Sequence, residues 1–386
     1  MTHFLHTQTT AQLIREGHRR SDVLGARKDA KRWPACSTLH ALDWAAFFYA
    51  RRLEGLPRAH PAWLYLQDRG IGAEARRRYY IGFAPMRREL LLRAAREAGF
   101  SVETLLEAGL LFERGRGRGY LERLQGRLTF PIQGEHGSVV GFGARLIEAC
   151  PGRCTTSPRY VNTPNTAFFM KGDFLFGLEQ VREAIEHNRV CVLIEGYADA
   201  VALSACGLTC GVAVGGNALT EAQARQLALA LRSHERPVRA LLAFDADAPG
   251  QFGMLRALPL LLEEGITPEI VQLPEGEDIA GIAGRAGRRG LLSRLRRTQT
   301  FTAFMLDRSR AGGWFDDPAT YTEAIRDVLS FIRLFPYPEG RYRLFLQAFS
   351  ESRRYGPRYA WTTPEGEAHR FRAWCAAFAA LPRRKR

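Results

Sequence analysis

The alternation of apolar and polar positions is clearest between Val190 and Asp278. There VCVLIEGYADAVALSACG, AVGGNALTEAQARQLALALRS, RALLAFDADAPGQFGMLRAL and EIVQLPEGEDIA each open on a short β-rich apolar run that ends in a polar cluster. The first three continue into helical spacing, and repeated strand-then-helix units predict a parallel sheet covered by helices. Thr220 and Gln223 have capping-box spacing at the start of EAQARQLALALRS, and Gly207 and Gly265 stand where helices should stop. Upstream, HALDWAAFFYARRL has helical spacing, YLERLQGRLTFPI alternates like one strand, HGSVVGFGARL reads as a glycine-punctuated strand pair, and SPRYVNTPNTAFFMKGDFLFGL reads as a loop rich in turn formers. After about residue 286 the pattern becomes all-helical. Ile325, Val328, Leu329 and Ile332 form one apolar stripe there, expected to be core.

These elements predict an α/β chain (α+β overall) with a basic mixed α/β N-terminal lobe, a Rossmann-like parallel sheet and a C-terminal helical bundle. The expected divisions are a basic extension over 1–40, the lobe over 41–187, the sheet domain over 188–285 and a helical subdomain over 286–386. In open parallel sheets ligands gather beyond the carboxyl ends of the strands. Glu195, Asp245, Asp247 and Asp278 all fall at such ends. Hard divalent cations such as magnesium take oxygen ligands of this type, and two of them about 4 Å apart clamp the oxygens of a phosphoryl transfer. Gly215-Gly216-Asn217 fits either a tight turn or a close approach of backbone to phosphate.

Charge changes the picture more than composition does. The 386 residues carry a net charge of +15, almost all of it on arginine, because the lysines are Lys28, Lys31, Lys171 and Lys385 alone. A sequence pI near 9.9 is the electrostatic footprint of nucleic-acid binding. The seven cysteines, Cys36, Cys150, Cys154, Cys191, Cys206, Cys210 and Cys375, form no zinc-finger spacing, so no zinc is expected. An odd count and a start without signal-peptide organisation point to reduced thiols in the cytoplasm. No apolar run approaches the ~20 residues that span a bilayer.

EGYAD (Glu195 to Asp199), FDADAPG (Phe244 to Gly250) and LPEGEDIA resemble the three acidic motifs of the TOPRIM domain in its bacterial, DnaG-type primase version. The upstream segments resemble that family's "YL-x-x-RG", "IGFAP", "FPI", "GFGGR", "PKYLNSP" and "KG" motifs, in the family's order, so that the likeness covers roughly residues 45 to 355. It implies metal-dependent nucleotidyl transfer, with Glu195, Asp245, Asp247 and Asp278 at the metal site and Asp199 supporting them. It also implies that Arg145, Arg159, Asn162 and Lys171 line the cleft and handle template or triphosphate. Arg123 and Arg127 belong to the same arginine-rich series, and Lys171 is counted among the catalytic residues. The departures are Ala246 and Ala144 for glycines, Arg159 for a lysine, and Asp278-Ile279-Ala280 for Asp-Pro-Asp. The family's N-terminal zinc-binding and C-terminal helicase-binding domains are not expected here.

The expectation is a DNA primase, or a close relative retained on a mobile element, that makes short RNA primers on single-stranded DNA from ribonucleoside triphosphates with Mg2+ or Mn2+. A replicative helicase or a separate template-recognition module would be its partner, no membrane is involved, and the location is cytoplasmic, on the nucleoid. A TOPRIM nuclease and a non-catalytic single-strand-binding remnant are the alternatives. Tyr197 is not expected to be a topoisomerase nucleophile, since the chain is too short for that architecture.

Overall fold

The structure, a computed structural model, describes residues 38–87, 89–115, 118–134, 137–147, 158–216, 218–232, 239–315, 318–355 and 364–381. All but the end of the expected 1–40 extension lies outside the described residues, as do Cys36, Cys150, Cys154, Asn217 and the stretch from Arg383 to Arg386. The chain forms two compact units, which share the sequence in alternation. One takes the described residues within 1–187, 196–215 and 279–290; the other takes those within 188–195, 216–278 and 291–386.

In order along the first unit come α1 (Thr38–Glu54), α2 (Pro61–Asp68), α3 (Ala73–Arg78), β1 (Gly82–Ala84), α4 (Leu90–Glu97), α5 (Val102–Glu107), β2 (Leu111–Glu113), β3 (Tyr120–Glu122), β4 (Arg127–Gln133), β5 (Val139–Leu146) and β6 (Tyr160–Asn162). Strands β1, β4, β5 and β6 make an antiparallel sheet in that order, with Phe130 opposite Gly143 and Ala144 opposite Val161. The apolar face of α1 (Leu42, Ala45, Ala46, Tyr49) shares one core with Leu91, Leu105, Phe142 and Ala144. Every residue of β5 is buried, which explains why its pattern does not alternate: both faces are covered.

Two readings of this lobe change. YLERLQGRLTFPI is two strands rather than one, because a turn intervenes in which the Arg123 amide donates to Leu110 O (2.9 Å) and the Gly126 amide to Ala84 O (2.7 Å). HGSVVGFGARL holds one strand rather than a pair. Its glycines do not break β5; they let Phe169 and Tyr197 rings lie against the backbone at Gly141 and Gly143.

The chain continues with α6 (Leu178–Asn188), β7 (Val190–Ile194), α7 (Tyr197–Ala205), β8 (Gly211–Ala213), α8 (Glu221–Arg232), β9 (Arg239–Leu242), α9 (Ala248–Glu263), β10 (Glu269–Val271), α10 (Ile279–Leu295), β11 (Thr298–Thr300) and helices α11 (Phe301–Ala311), α12 (Pro318–Leu334), α13 (Pro338–Ser352) and α14 (Pro364–Ala380). In the second unit β10, β9 and β7 are parallel neighbours, and β11 adds antiparallel to β10. The stretch after residue 286 is therefore not wholly helical. β11 is only three residues long, too short to imprint a period of two. The Ile325, Val328, Leu329 and Ile332 stripe is buried, each at 3% exposure or less. Gly207 and Gly265 follow their helices with φ of +72° and +76°, as a left-handed helix stop requires. The mixed α/β class expected from the sequence is present. Among the described residues no helix is long and apolar enough to cross a membrane.

The capping box is formed reciprocally: Gln223 N donates to Thr220 Oγ1 and Thr220 N to Gln223 Oε1, both at 3.1 Å. Thr220→Ala leaves a first-turn donor of α8 without its acceptor and is expected to cost about 1 kcal/mol. Chemical denaturation and amide exchange in the first turn of α8 check this, and unchanged protection there would refute it.

Candidate active site

The acidic rim of the second unit is built by two parallel strands. β7 and β9 pair from Val190–Arg239 through Leu193–Leu242, and the Ala243 amide extends the ladder to Leu193 O at 2.9 Å. Matched strands of equal reach bring Glu195 and Asp245 out side by side. Glu195 Oε1 accepts from the Asp245 amide at 3.0 Å. The chain then turns through Ala246 and Asp247 into α9. Asp247 caps that helix by accepting from the Gly250 amide at 2.8 Å. Gly250 is required by close approach: a Cβ there would sit 2.1 Å from Asp245 O and 2.7 Å from Glu195 Oε1.

Asp278 is brought in by backbone. The Ala246 amide donates to Glu277 O (3.5 Å) and the Gly276 amide to Ala246 O (3.2 Å), which ties the β10 exit loop to the Asp245 loop. Asp245 and Asp278 are half-buried and Asp247 is exposed. The Glu195 carboxyl is raised to about 7, by burial first and then by the charges of Asp245 and Asp247, against the opposing hydrogen bond from the Asp245 amide. Among the described residues no three acidic, histidine or cysteine side chains converge as a ready-made metal cage. Magnesium commonly takes only one or two carboxylates and completes its shell with water and phosphate, and the crowded Glu195–Asp245 pair fits that share.

Asp199 belongs to the first unit. It is 7% exposed, in the first turn of α7, and accepts from the Ala280 amide at 2.8 Å. Its described role is to cap the start of α10.

The basic candidates, all in the first unit, differ in access. Arg159 and Lys171 are exposed. Arg127 is 1% exposed and donates through Nη1 to Arg159 O at 3.2 Å. Arg145, at 8%, donates to Tyr160 Oη (2.8 Å) with its guanidinium 4.3 Å from the Tyr65 ring. Arg123 donates to Gly109 O at 3.0 Å and lies over Phe112. Asn162 is committed locally: its Oδ1 lies 2.8 Å from the Tyr197 hydroxyl and its Nδ2 3.4 Å from Gly215 O. Tyr197 is buried, and burial raises its phenol far above the ordinary range. Tyr65 and Tyr160, which hold Arg145, were not among the expected site residues. Their signal is faint, an aromatic in WLYLQDRG and another in PRYVN.

Carboxylates at the tips of adjacent parallel strands, in a chain that also carries a basic antiparallel β lobe, define a Toprim-type α/β protein. Residues 192–282 match the Toprim-like family and residues 48–182 the N-terminal domain of the DNA primase catalytic core. The chain therefore carries a DnaG-type primase catalytic-core N-terminal domain followed by a Toprim-like domain. It is 36% identical over 220 residues to the DNA primase of Deinococcus radiodurans, covering 57% of this chain and 37% of that protein. It thus spans about 37% of the length of the primase it matches. The RNA polymerase domain of Mycobacterium tuberculosis primase DnaG superposes with a TM-score of 0.67 at 29% identity, over 80% of this chain and 97% of that one. A DnaG primase catalytic domain bound to single-stranded DNA gives 0.68 at 26%, over 81% and 95%.

The raised Glu195 carboxyl has a sign that can be checked. An acid whose folded value lies above its unfolded one binds more protons when folded, so stability is lost as pH rises between about 4.5 and about 7. In metal-free protein Glu195→Gln keeps the acceptor for the Asp245 amide and removes the charge. It is expected to raise Tm by roughly 1–3 °C at pH 8, with no gain at pH 4. A gain of equal size at both values would rule out the carboxylate crowding.

Proposed function

We propose that the chain is the RNA-polymerizing core of a DnaG-type primase, which joins ribonucleotides into short primers on single-stranded DNA with Mg2+ or Mn2+. The observation that carries this is the Glu195–Asp245 contact at the carboxyl tips of β7 and β9, with Asp247 at the start of α9 beside it. Glu195, Asp245 and Asp247 would hold the metal, with Asp278 on the tied loop. A bound divalent ion would neutralise the carboxylates and stabilise negative charge on the transferring phosphoryl group. The protein's own contribution is positional. The β7–β9 register fixes the two carboxylates, Gly250 lets α9 start against them, and the Gly276–Ala246 bond fixes the Asp278 loop.

In the other unit, exposed Arg159 and Lys171 supply cations for template or triphosphate, and buried Arg127 and Arg145 brace the start of β6 beside Arg159. The template assignment is supported by the similar DnaG catalytic domain solved with single-stranded DNA bound. Ribonucleoside triphosphates are the second substrate. A replicative helicase or a template-recognition module, and a nucleoid location in the cytoplasm, complete the reading. A Toprim nuclease is not favoured, because the residues before the Toprim-like segment match a primase catalytic-core domain.

The test is primer synthesis on mixed-sequence single-stranded DNA with labelled ribonucleotides. Short RNA products are expected with Mg2+ or Mn2+, and at least 100-fold less in Glu195→Gln and Asp245→Asn, the scale expected when metal-held charge is removed. Degraded template instead would reassign the chain as a nuclease. Independently of turnover, Mg2+ is expected to raise the Tm of the parent and not that of Asp245→Asn. Equal Mg2+ stabilisation of both would place the metal elsewhere.

A further inference from the structure

Trp63, in α2, is 7% exposed, and its Nε1 donates to Leu56 O at 3.2 Å, so the indole is fixed. Two guanidinium carbons lie over it: Arg58 at 4.2 Å and Arg76 at 4.4 Å from the ring centroid. Arg76 is held further by Nη1 donating to Ile71 O at 3.3 Å. Neither arginine makes an ion pair with a carboxylate among the described residues. Burial, then the charges of Arg58 and Arg77, hold the Arg76 guanidinium below its ordinary value, and Glu54 returns part of this.

Each cation–π contact stabilises the fold by itself, while bringing two like charges to one ring adds a repulsion that a bound anion relieves. Contact through the ring leaves the N–H edge of Arg58, and the N–H groups of Arg76 other than the one given to Ile71 O, for hydrogen bonds to an anion. The indole is already covered, so a nucleobase has no place to stack there. The ligand that suits this arrangement is a phosphate, read without regard to base.

We propose that Arg58 and Arg76, stacked together on Trp63, form a docking site for the phosphodiester backbone of single-stranded nucleic acid. The site deepens the primase reading by placing a contact for the template strand on α2, α3 and the residues just before α2. Exposed Arg77 and Arg78 continue the positive surface along α3.

Fluorescence anisotropy of a labelled mixed-sequence single-stranded DNA, titrated with the full chain over a series of salt concentrations, tests the site. For Arg58→Gln/Arg76→Gln the plot of log K against log salt is expected to be shallower by about 1.4, at about 0.7 for each phosphate that is no longer neutralised. Exposed Arg58→Gln alone, where refolding is not at issue, is expected to account for about half of that. The double lysine variant keeps both charges and should regain most of the slope. Ribonucleoside triphosphate binding should be the same in all variants. An unchanged slope in the glutamine variants, or a lysine variant that behaves like them, overturns the site. Abolished triphosphate binding with intact DNA binding does so too. A parent chain that fails to bind DNA removes both this site and the template half of the primase reading, whereas a parent that binds with unaltered variants removes the site alone.

Discussion

Glu195 accepts a hydrogen bond from the backbone of Asp245, and the rest of the acidic rim is arranged around that contact. It requires β7 and β9 to be parallel, adjacent and in register, because a shift of one residue would turn one of the two acids to the opposite face of the sheet. It requires glycine at 250, where any side chain would collide with both the Asp245 carbonyl and the Glu195 carboxylate. It also sets the electrostatics. One backbone amide stabilises the Glu195 anion, while burial and two neighbouring carboxylates oppose it, and the balance lies near neutral pH. A rim whose acids are held close against their own repulsion is suited to a divalent cation, since the cation converts repulsion into shared attraction.

The basic half follows a different logic. A net charge of +15 suggests a surface covered with cations, yet the arginines of the β lobe divide into those the fold uses and those it displays. Arg127 is a strut under the Arg159 carbonyl, and Arg145 is enclosed by Tyr65 and Tyr160. Burying a guanidinium is tolerable only where carbonyls, hydroxyls and aromatic faces replace its water. These two arginines shape the strand that begins next to exposed Arg159. Arg58 and Arg76 are of a third kind, ordered by an aromatic ring, with Arg76 also tied through one nitrogen to Ile71 O.

Much of this was legible in the sequence, for reasons that concern range. Strand–helix alternation, the Thr220–Gln223 box, the buried stripe on α12 and the acids at strand ends are local patterns, and local patterns survive in one dimension. The sequence is silent where few residues or distant partners decide. β11 is too short to show a period, and β5 carries no alternation because it is covered on both faces. Asn162 was singled out as a cleft residue by its motif, while its bonds to the Tyr197 hydroxyl and Gly215 O are made across 35 and 53 residues. No spacing rule could have exposed them. The Trp63 stack was hidden for the same reason: Arg58 and Arg76 are 18 positions apart in sequence.

Ala280 shows how the departures from the family pattern bear on the chemistry. The resemblance places a carboxylate at this position, yet the alanine is fully buried and its amide serves Asp199, itself only 7% exposed. A second carboxylate at 280 would be desolvated beside the first, and each would favour the neutral form of the other. With alanine, the Asp199 carboxylate accepts from a backbone donor at the start of α10. On the proposed reading, the negative charge offered to a divalent ion comes from Glu195, Asp245 and Asp247, with Asp278 on the loop tied beside them. A site with that distribution depends more on the β7–β9 register and on the phosphates of its substrate than one ringed by further acids, because substrate oxygens must complete what the protein leaves open.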